Sequence, residues 1–97
     1  MDRKVELYHT AFEDKPIHVA NWEFSDKEYG DKSDSYIAER VYYSSQNIDE
    51  SWSKEALGKE YRSTSVGDYI KINGVTYYVA DIGFTKTPVN KHGEEIK

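Results

Sequence analysis

The fold of this chain is decided by residues 62–84, which read RSTSVGDYIKINGVTYYVADIGF. Asn73 and Gly74 stand between two runs that are rich in apolar residues. This dipeptide suits a type I′ turn, because both central positions of that turn need a positive φ. The sequence therefore predicts a two-residue β-hairpin in which Ile72 pairs with Val75 and the other pairs follow in antiparallel register.

The predicted register gives the hairpin two different faces, because successive side chains of a strand point to opposite sides. The apolar face holds Ile70, Ile72, Val75, Tyr77 and Val79. The opposite face holds Tyr69, Lys71, Thr76 and Tyr78. A slip of one residue would expose the apolar set to water, so we expect a firm register. Beyond a small globular domain that binds something, this stretch does not indicate what the protein does.

The same stretch resembles a known family through Arg62-Ser63-x-Ser65-Val66-Gly67-Asp68, a following apolar strand, Tyr77-Tyr78 and Gly83-Phe84. This pattern is similar to the YodL-like domain, which occurs in small and in larger polyvalent proteins of bacterial plasmids and phages. Weaker upstream matches extend the resemblance to about half of the chain and consist of Tyr36, Val41-Tyr42 and Ile48-Asp49-Glu50-x-Trp52. The resemblance implies a fold and a mobile-element setting, and it implies no activity.

Composition indicates one small, well-solvated domain. The chain has 97 residues, of which 37% are hydrophobic and 32% are charged, and its formal net charge is −5. General binding of nucleic acid requires clustered Lys and Arg, so an acidic chain argues against it. The absence of cysteine excludes disulfides and thiolate zinc sites. Because no apolar run could span a membrane and no signal peptide follows Met1, we expect a cytoplasmic protein without a membrane partner.

The first half of the chain is predicted to hold strands and a polar loop. Residues 4–12 alternate between apolar and polar side chains, which indicates a strand. Residues 17–24 fit either a short edge strand or a loop that places Trp22 in the core. Residues 23–34 are predicted as an acidic loop that is open to mobility. Residues 35–45 are predicted as a further strand, because Tyr and Val suit a pleated surface.

The second half is predicted to add one short helix to the hairpin. Asn47 and Glu50 fit a capping box. Three apolar side chains then recur at a spacing of four residues: Ile48, Trp52 and Ala56. Residues 48–57 are therefore predicted as a helix that packs Trp52 on the sheet.

The predicted fold class is α+β. Residues 1–85 are expected to form one YodL-like domain, with a small, mainly antiparallel sheet of three to five strands, one short helix packed on it and a C-terminal β-hairpin. After residue 85 the apolar pattern is lost, so residues 86–97 are predicted as a flexible tail.

The sequence contains no catalytic or metal-binding motif that we recognise. The three histidines are too scattered for a zinc site, whose ligands usually include close pairs. The hydroxyl groups of residues 63–65 lack the surroundings of a nucleophilic serine, so we interpret them as turn residues. Arg62 either pins the base of the hairpin by pairing with Asp68 or Asp81, or presents a cation to a ligand. We therefore predict no enzyme, no cofactor and no catalytic residue.

The function that the sequence favours is a non-enzymatic protein-binding module of a bacterial mobile element or phage. Its expected partner is a host or element protein with a basic surface, and an anti-defence inhibitor is a narrower form of this hypothesis. The predicted binding surface is acidic and rich in tyrosine, and comprises Asp26, Glu28, Asp31, Asp34, Tyr42 and Tyr43. The alternative is a nucleic-acid-binding accessory domain that stacks bases on the tyrosine-bearing face of the sheet.

Overall fold

A computed structural model describes residues 2–46, 57 and 61–96 of the chain. These residues form one five-stranded sheet, with strands β1 Arg3–His9, β2 Ile17–Phe24, β3 Tyr69–Ile72, β4 Val75–Val79 and β5 Phe84–Thr85. Two helices, α1 Asp26–Tyr29 and α2 Asp34–Ser44, follow β2 in the chain. The strand order is β2-β1-β3-β4-β5, and every neighbouring pair is antiparallel. The predicted α+β class with a mainly antiparallel sheet is confirmed.

The hairpin of β3 and β4 has the register that the sequence predicts. Ile72 pairs with Val75 across a turn in which Asn73 and Gly74 have φ values of 49° and 85°. The Asn73 side chain also accepts a hydrogen bond from the backbone N–H of Lys4 at 2.9 Å, which ties the turn to β1. On the apolar face of the hairpin, Ile70, Ile72 and Val79 are buried, Tyr77 is half-buried and Val75 is exposed beside the turn.

The strand β1 lies between β2 and β3, and it carries the alternation that the sequence indicates as far as His9. Val5, Leu7 and His9 point into the core, where each is at most 2% exposed. The strand β2 pairs with β1 at the edge of the sheet, so the edge-strand interpretation of residues 17–24 is correct. Trp22 is half-buried and packs against the core from within this strand.

The predicted strand at residues 35–45 is wrong, because this segment forms α2. The Ser33 hydroxyl caps the helix by accepting the backbone N–H of Tyr36 at 3.1 Å. The buried side chains recur at helical spacing: Ile37, Ala38 and Val41. The β propensity of Tyr and Val depends on packing against neighbouring strands. Here the three apolar residues pack on the sheet face as a helical stripe instead.

The predicted acidic loop at residues 23–34 is also largely wrong. Its first two residues complete β2, Ser25 caps α1, and Asp34 begins α2. The guanidinium of Arg3 orders the connection between the helices, because it donates to the carbonyls of Tyr29, at 3.1 Å, and of Lys32. It also lies 3.3 Å from the Asp34 carboxylate. The segment is therefore held by caps and by one arginine from β1.

Two further predictions concern the second half of the chain. The predicted helix at residues 48–57 and the packing of Trp52 lie outside the described residues, apart from Leu57, which is exposed. Among residues 86–96, Val89 is only 3% exposed and forms an isolated β-bridge with Glu95. The flexibility of this segment and the domain bounds 1–85 stay predictions.

The hydrophobic core lies between one face of the sheet and α2. Its fully buried members from the sheet are Val5, Leu7, Val19, Ala20, Ile70 and Ile72. Within the described ranges, no helix has the length and apolar character needed to cross a membrane. The opposite face of the sheet carries polar and aromatic side chains, and the C-terminal end of α2 meets the turn between β4 and β5.

Candidate functional site

The Asp68 side chain accepts five hydrogen bonds. It precedes β3 and is completely buried. Its carboxylate accepts hydrogen bonds of 2.8 or 2.9 Å from the backbone N–H groups of Thr10, Ala11 and Ser65. Arg62 adds two hydrogen bonds, at 2.7 and 2.8 Å. Burial alone would raise the pKa of Asp68, but these donors, with Arg62 foremost, outweigh it and hold the pKa below its usual value.

Arg62 joins Asp68 to a second carboxylate. Its guanidinium donates to Glu13 at 2.7 and 3.1 Å, and the hydrogen bond from Arg62 is the main cause of a lowered Glu13 pKa. We call the set of Glu13, Arg62 and Asp68 the clamp, because it ties the loop after β1 to the start of the hairpin. Of the two predicted roles of Arg62, the structure supports the one in which Arg62 pins the base of the hairpin. Its partner there is Asp68 and not Asp81.

A buried His–Thr pair lies beside the clamp, and its geometry does not support nucleophilic catalysis. His9 Nε2 is 3.0 Å from Thr64 Oγ1, and both residues are 2% exposed. The Asp68 carboxylate lies 4.0 Å from the same nitrogen. In a catalytic triad the carboxylate orients the imidazole through its other nitrogen, and the hydroxyl must reach substrate. Burial lowers the pKa of His9, so the pair serves as a neutral part of the fold.

The outer face of the sheet carries an aromatic ladder, which we define as His18, Tyr8, Tyr69 and Tyr78. Each ring comes from a different strand, in the order β2, β1, β3 and β4. Adjacent ring centroids are 4.7, 4.9 and 5.3 Å apart, and the first two pairs are nearly parallel at 19° and 15°. Tyr8 therefore has a neighbouring ring on each of its two faces.

The aromatic ladder is better suited to stabilising the sheet than to stacking bases. Base stacking needs free ring faces, whereas Tyr8 and Tyr69 use theirs on their neighbours. Cross-strand aromatic pairs of this kind stabilise antiparallel sheets. The Tyr8 hydroxyl further donates to Glu6 at 3.0 Å, and burial raises the pKa of Tyr8 and Tyr69.

A depression of about 570 Å³ lies at the edge of the same face, between β1 and β2. Its polar lining is mixed in charge, with Lys4 placed opposite Glu23 across the strands. His18 Nε2 lies 2.7 Å from the side-chain oxygen of Asn21 and 3.8 Å from Glu6. No group of three His, Asp or Glu within the described residues could hold a metal ion. The lining of the depression thus combines both signs of charge.

A smaller cavity of about 180 Å³ lies where α2 ends and the turn between β4 and β5 passes over it. We call it the groove. It is lined by three rings, Tyr42, Tyr43 and Phe84, and by two carboxylates, Glu39 and Asp81; Val66, Val79, Ala80 and Gly83 complete it. The Tyr42 ring stands at 72° to that of Tyr43 and at 80° to that of Phe84, with centroids 6.1 and 6.5 Å apart.

Two large side chains at the groove are mostly exposed to solvent. Tyr43 is 73% exposed, and Ile82, between two lining residues of the turn, is 94% exposed. The turn itself is closed by a hydrogen bond from the Ala80 N–H to the Gly83 carbonyl at 3.0 Å, and Gly83 has a φ of 68°. Ile82, at the tip of this turn, therefore adds exposed apolar surface next to the aromatic rings of the groove.

The structure divides the predicted binding residues between the two ends of α2. Asp26 and Glu28 lie on α1, Asp31 lies in the connection, and Asp34 begins α2. Tyr42 and Tyr43 lie at the other end, about 12 Å from Asp34 along the helix axis. The Asp34 carboxylate already has a partner within the fold, because it accepts a hydrogen bond from the Tyr77 hydroxyl at 2.8 Å. The acidic residues and the tyrosines therefore do not form one patch.

Of the nine lining residues of the groove, the predicted site contains only Tyr42 and Tyr43. The charged and aromatic residues that it lacks are Glu39, Asp81 and Phe84. Phe84 belongs to the Gly83-Phe84 pair of the YodL-like resemblance, which was a usable signal. The interruption of the apolar strand end by Asp81 was a second, weaker signal. Neither signal reveals that this turn meets α2, because the contact joins residues that are some 40 positions apart in sequence.

Comparison with known proteins gives a partial similarity. A sequence profile of the family described as "Mechanosensitive ion channel, beta-domain" matches residues 61–96, which is less than half of the chain. The matched segment contains β3, β4 and β5, and with them Arg62, Asp68 and the turn of the groove. No curated protein and no solved structure matches the chain significantly. The similarity therefore concerns the β-rich segment alone.

Proposed function

We propose that this chain is a non-enzymatic protein-binding module and that the groove is its binding surface. The observation that carries the proposal is the exposure of Tyr43 and Ile82 on the two sides of an aromatic cavity. Tyr and Phe are enriched at protein interfaces, because they supply large contact areas with few rotatable bonds. The fold leaves most of the surface of these two side chains in solvent, so this surface is available to a partner.

The proposed setting is a bacterial mobile element or phage, and it rests on the resemblance to the YodL-like domain. In that setting the partner is a host or element protein in the cytoplasm, and inhibition of a host defence protein is a narrower form of the proposal. A basic surface on the partner is supported by the net charge of −5 and by the two carboxylates of the groove.

The alternative of nucleic-acid binding through the sheet receives less support. It required free tyrosine faces, and the ring stacking of the aromatic ladder occupies them. The charges near the ladder are also mixed, with Glu6 placed opposite Lys71 across the strands. A phosphate track needs a continuous run of cations, which this face does not supply.

The test is affinity capture of partner proteins with matched variants of the chain as bait. Tyr43→Ser combined with Ile82→Ser removes both exposed side chains of the groove. Tyr36→Ser is the control, because Tyr36 is also an exposed tyrosine of α2, at the opposite end of the helix. We expect a protein that the wild type and the control retain and that the double variant loses, and we expect purified partner to reproduce this pattern.

The proposal fails if purified partner binds the double variant as tightly as it binds the wild type. All three baits must show the same melting temperature within a few degrees, which their exposed positions lead us to expect. A double variant that unfolds would be replaced by Tyr43→Ser alone, since that position is the less constrained of the two by the turn.

A further inference from the structure

We infer that the groove accepts one cationic side chain, a lysine or an arginine, from the partner protein. This inference rests on the proposed function and specifies the chemistry of what is bound. Three properties of the groove carry it: its volume, the arrangement of its rings and the sign of its charges.

The volume of the groove fits a single side chain. Pockets for small molecules and cofactors usually occupy about 300–1,000 Å³. The groove encloses about 180 Å³. A ligand of drug size would therefore leave most of its surface in water, whereas one side chain projecting from a partner surface can be largely enclosed.

The rings of the groove suit a cation. Tyr42 stands nearly perpendicular to both Tyr43 and Phe84, so the three rings form a corner. Cations bind aromatic faces within about 6 Å of the ring centroid, and recognition sites for ammonium groups are built from several such rings. An aliphatic side chain would gain contact area in this corner, but only a cation gains the electrostatic attraction of the rings as well.

The charges of the groove favour the same occupant. Glu39 and Asp81 are exposed, and none of the described residues that line the groove is basic. Two carboxylates without a basic neighbour in the lining attract a cation and repel an anion. This sets the groove apart from the depression beside β2, where Lys4 and Glu23 lie opposite each other.

Other rings of the chain already have a cation from the chain itself. The ring of Phe12 has Arg62 at 4.9 Å, that of Tyr36 has Lys32 at 5.3 Å, and that of Tyr77 has Lys86 at 5.8 Å. Among the cation–ring contacts of the described residues, none involves the three rings of the groove. Within the described residues, the rings of this corner are therefore open to a cation from a partner.

The experiment compares three peptides that differ at one central position: acetyl-Gly-Gly-X-Gly-Gly-amide with X as lysine, arginine or norleucine. Norleucine keeps an aliphatic chain and lacks the charge. Binding is followed by backbone NMR shifts at residues 39–43 and 81–84 at low ionic strength. We expect the lysine and arginine peptides to bind about tenfold more tightly than the norleucine peptide, the range of one partly desolvated cation–ring contact.

Variants separate the ring contribution from simple apolar contact. Tyr43→Leu keeps an apolar side chain and removes the ring, and its exposed position makes the fold tolerant of the change. We expect it to weaken the lysine peptide several-fold while leaving the norleucine peptide unchanged. Glu39→Gln should weaken the lysine peptide in a salt-dependent way. Tyr36→Leu, at the other end of α2, should change neither peptide.

The inference is overturned if norleucine binds as well as lysine, if no peptide shifts these resonances at about 10 mM, or if Tyr36→Leu has the effect of Tyr43→Leu. These outcomes are distinct from failure of the proposed function. A groove without charge preference, in a chain whose partner capture still requires Tyr43 and Ile82, would refute the cation and keep the interface. Capture that ignores both side chains would refute the interface itself.

Discussion

The clamp and the groove both place carboxylates next to the β3–β4 hairpin, but the two regions differ in the burial and the bonding of these carboxylates. In the clamp, Asp68 is completely buried and Arg62 satisfies both of its oxygens. In the groove, Glu39 and Asp81 are exposed beside aromatic rings. The partners that the fold gives a carboxylate therefore determine its role. A carboxylate with buried donors contributes to stability, whereas one left in solvent is available for recognition. Substitutions should therefore separate the two regions, with loss of stability in the clamp and loss of binding in the groove.

The largest effect is expected for Asp68→Asn. The amide has only one acceptor oxygen, so its NH2 group would face backbone N–H donors, and Arg62 would lose a buried counter-charge. Removing one partner of a buried ion pair costs about 3–5 kcal/mol, which is a large share of a domain stability of about 5–15 kcal/mol. Urea or thermal unfolding measures the loss, with the exposed Asp14→Asn as control. A loss below about 1 kcal/mol would place Asp68 among ordinary surface carboxylates and remove the contrast with the groove.

The next effect is a loss of stability in acid that comes from the clamp and its neighbour His9. Because burial lowers the His9 pKa, the unfolded chain protonates this imidazole first, as the pH falls below 6.5. Because its donors lower the Asp68 pKa, the unfolded chain also protonates this carboxyl first, as the pH falls below 3.8. In both windows the unfolded state binds more protons, so the free energy of unfolding decreases as the pH falls.

Urea unfolding at a series of pH values between 8 and 2.5 tests this two-stage decrease. Asp68→Asn should flatten the lower stage, and His9→Gln should flatten the stage below 6.5. Glu13 contributes to the lower stage with the same sign, because Arg62 lowers its pKa as well. Glu39→Gln, which changes an exposed carboxylate of the groove, is the control for this series. A profile that Glu39→Gln alters as much as Asp68→Asn would contradict the division between clamp and groove.

Sequence reasoning succeeded where local chemistry determines the backbone. Asn73 and Gly74 suit the positive φ values of the turn, and this turn then sets which residues pair in β3 and β4. It failed at α2, because the tyrosines and valine of that segment have a preference for strands that tertiary packing overrides. The helical spacing of Ile37, Ala38 and Val41, with Ser33 before them, was the stronger signal.

The site was only partly predictable for a related reason. Tyr42 and Tyr43 are predicted as binding residues from their side chains alone, and both line the groove. Their neighbours Asp81 and Phe84 come from a turn far along the chain, and no local pattern reports that the end of α2 meets it. The acidic residues were grouped with the tyrosines because they are close in sequence, whereas a helix of 11 residues separates their positions.

A smaller loss of stability is expected at Asp34, a carboxylate that is only partly buried. Asp34 accepts the Tyr77 hydroxyl at 2.8 Å and contacts Arg3. Tyr77→Phe removes that hydrogen bond and keeps the ring, so we expect a loss of about 1 kcal/mol of unfolding free energy. Tyr43→Phe, which changes an exposed hydroxyl, is the matched control and should have no measurable effect. Equal losses for the two variants would mean that the Asp34 hydrogen bond contributes nothing specific.

The smallest effect on stability is expected for the exposed acidic residues of α1 and of the connection that follows it. Replacing all four predicted acidic positions by amides would mix two effects, because Asp34 is bonded to Tyr77. The informative variant therefore combines Asp26→Asn, Glu28→Gln and Asp31→Asn and keeps Asp34. Exposed substitutions usually change stability by about 0.5 kcal/mol or less. Charges at the rim of an interface act mainly on the association rate.

Once a partner of the groove is identified, its binding to this triple variant can be compared with its binding to the wild type. We expect an unchanged dissociation rate, a several-fold slower association rate and an association rate that depends less on salt. Stopped-flow or surface-based kinetics at two ionic strengths measures all three quantities. Glu39→Gln supplies the contrast, because a carboxylate that lines the groove should act on the dissociation rate as well. If the triple variant associates at the wild-type rate at both salt concentrations, the acidic segment belongs with the clamp as part of the fold and its solvation. Recognition would then depend on the groove alone.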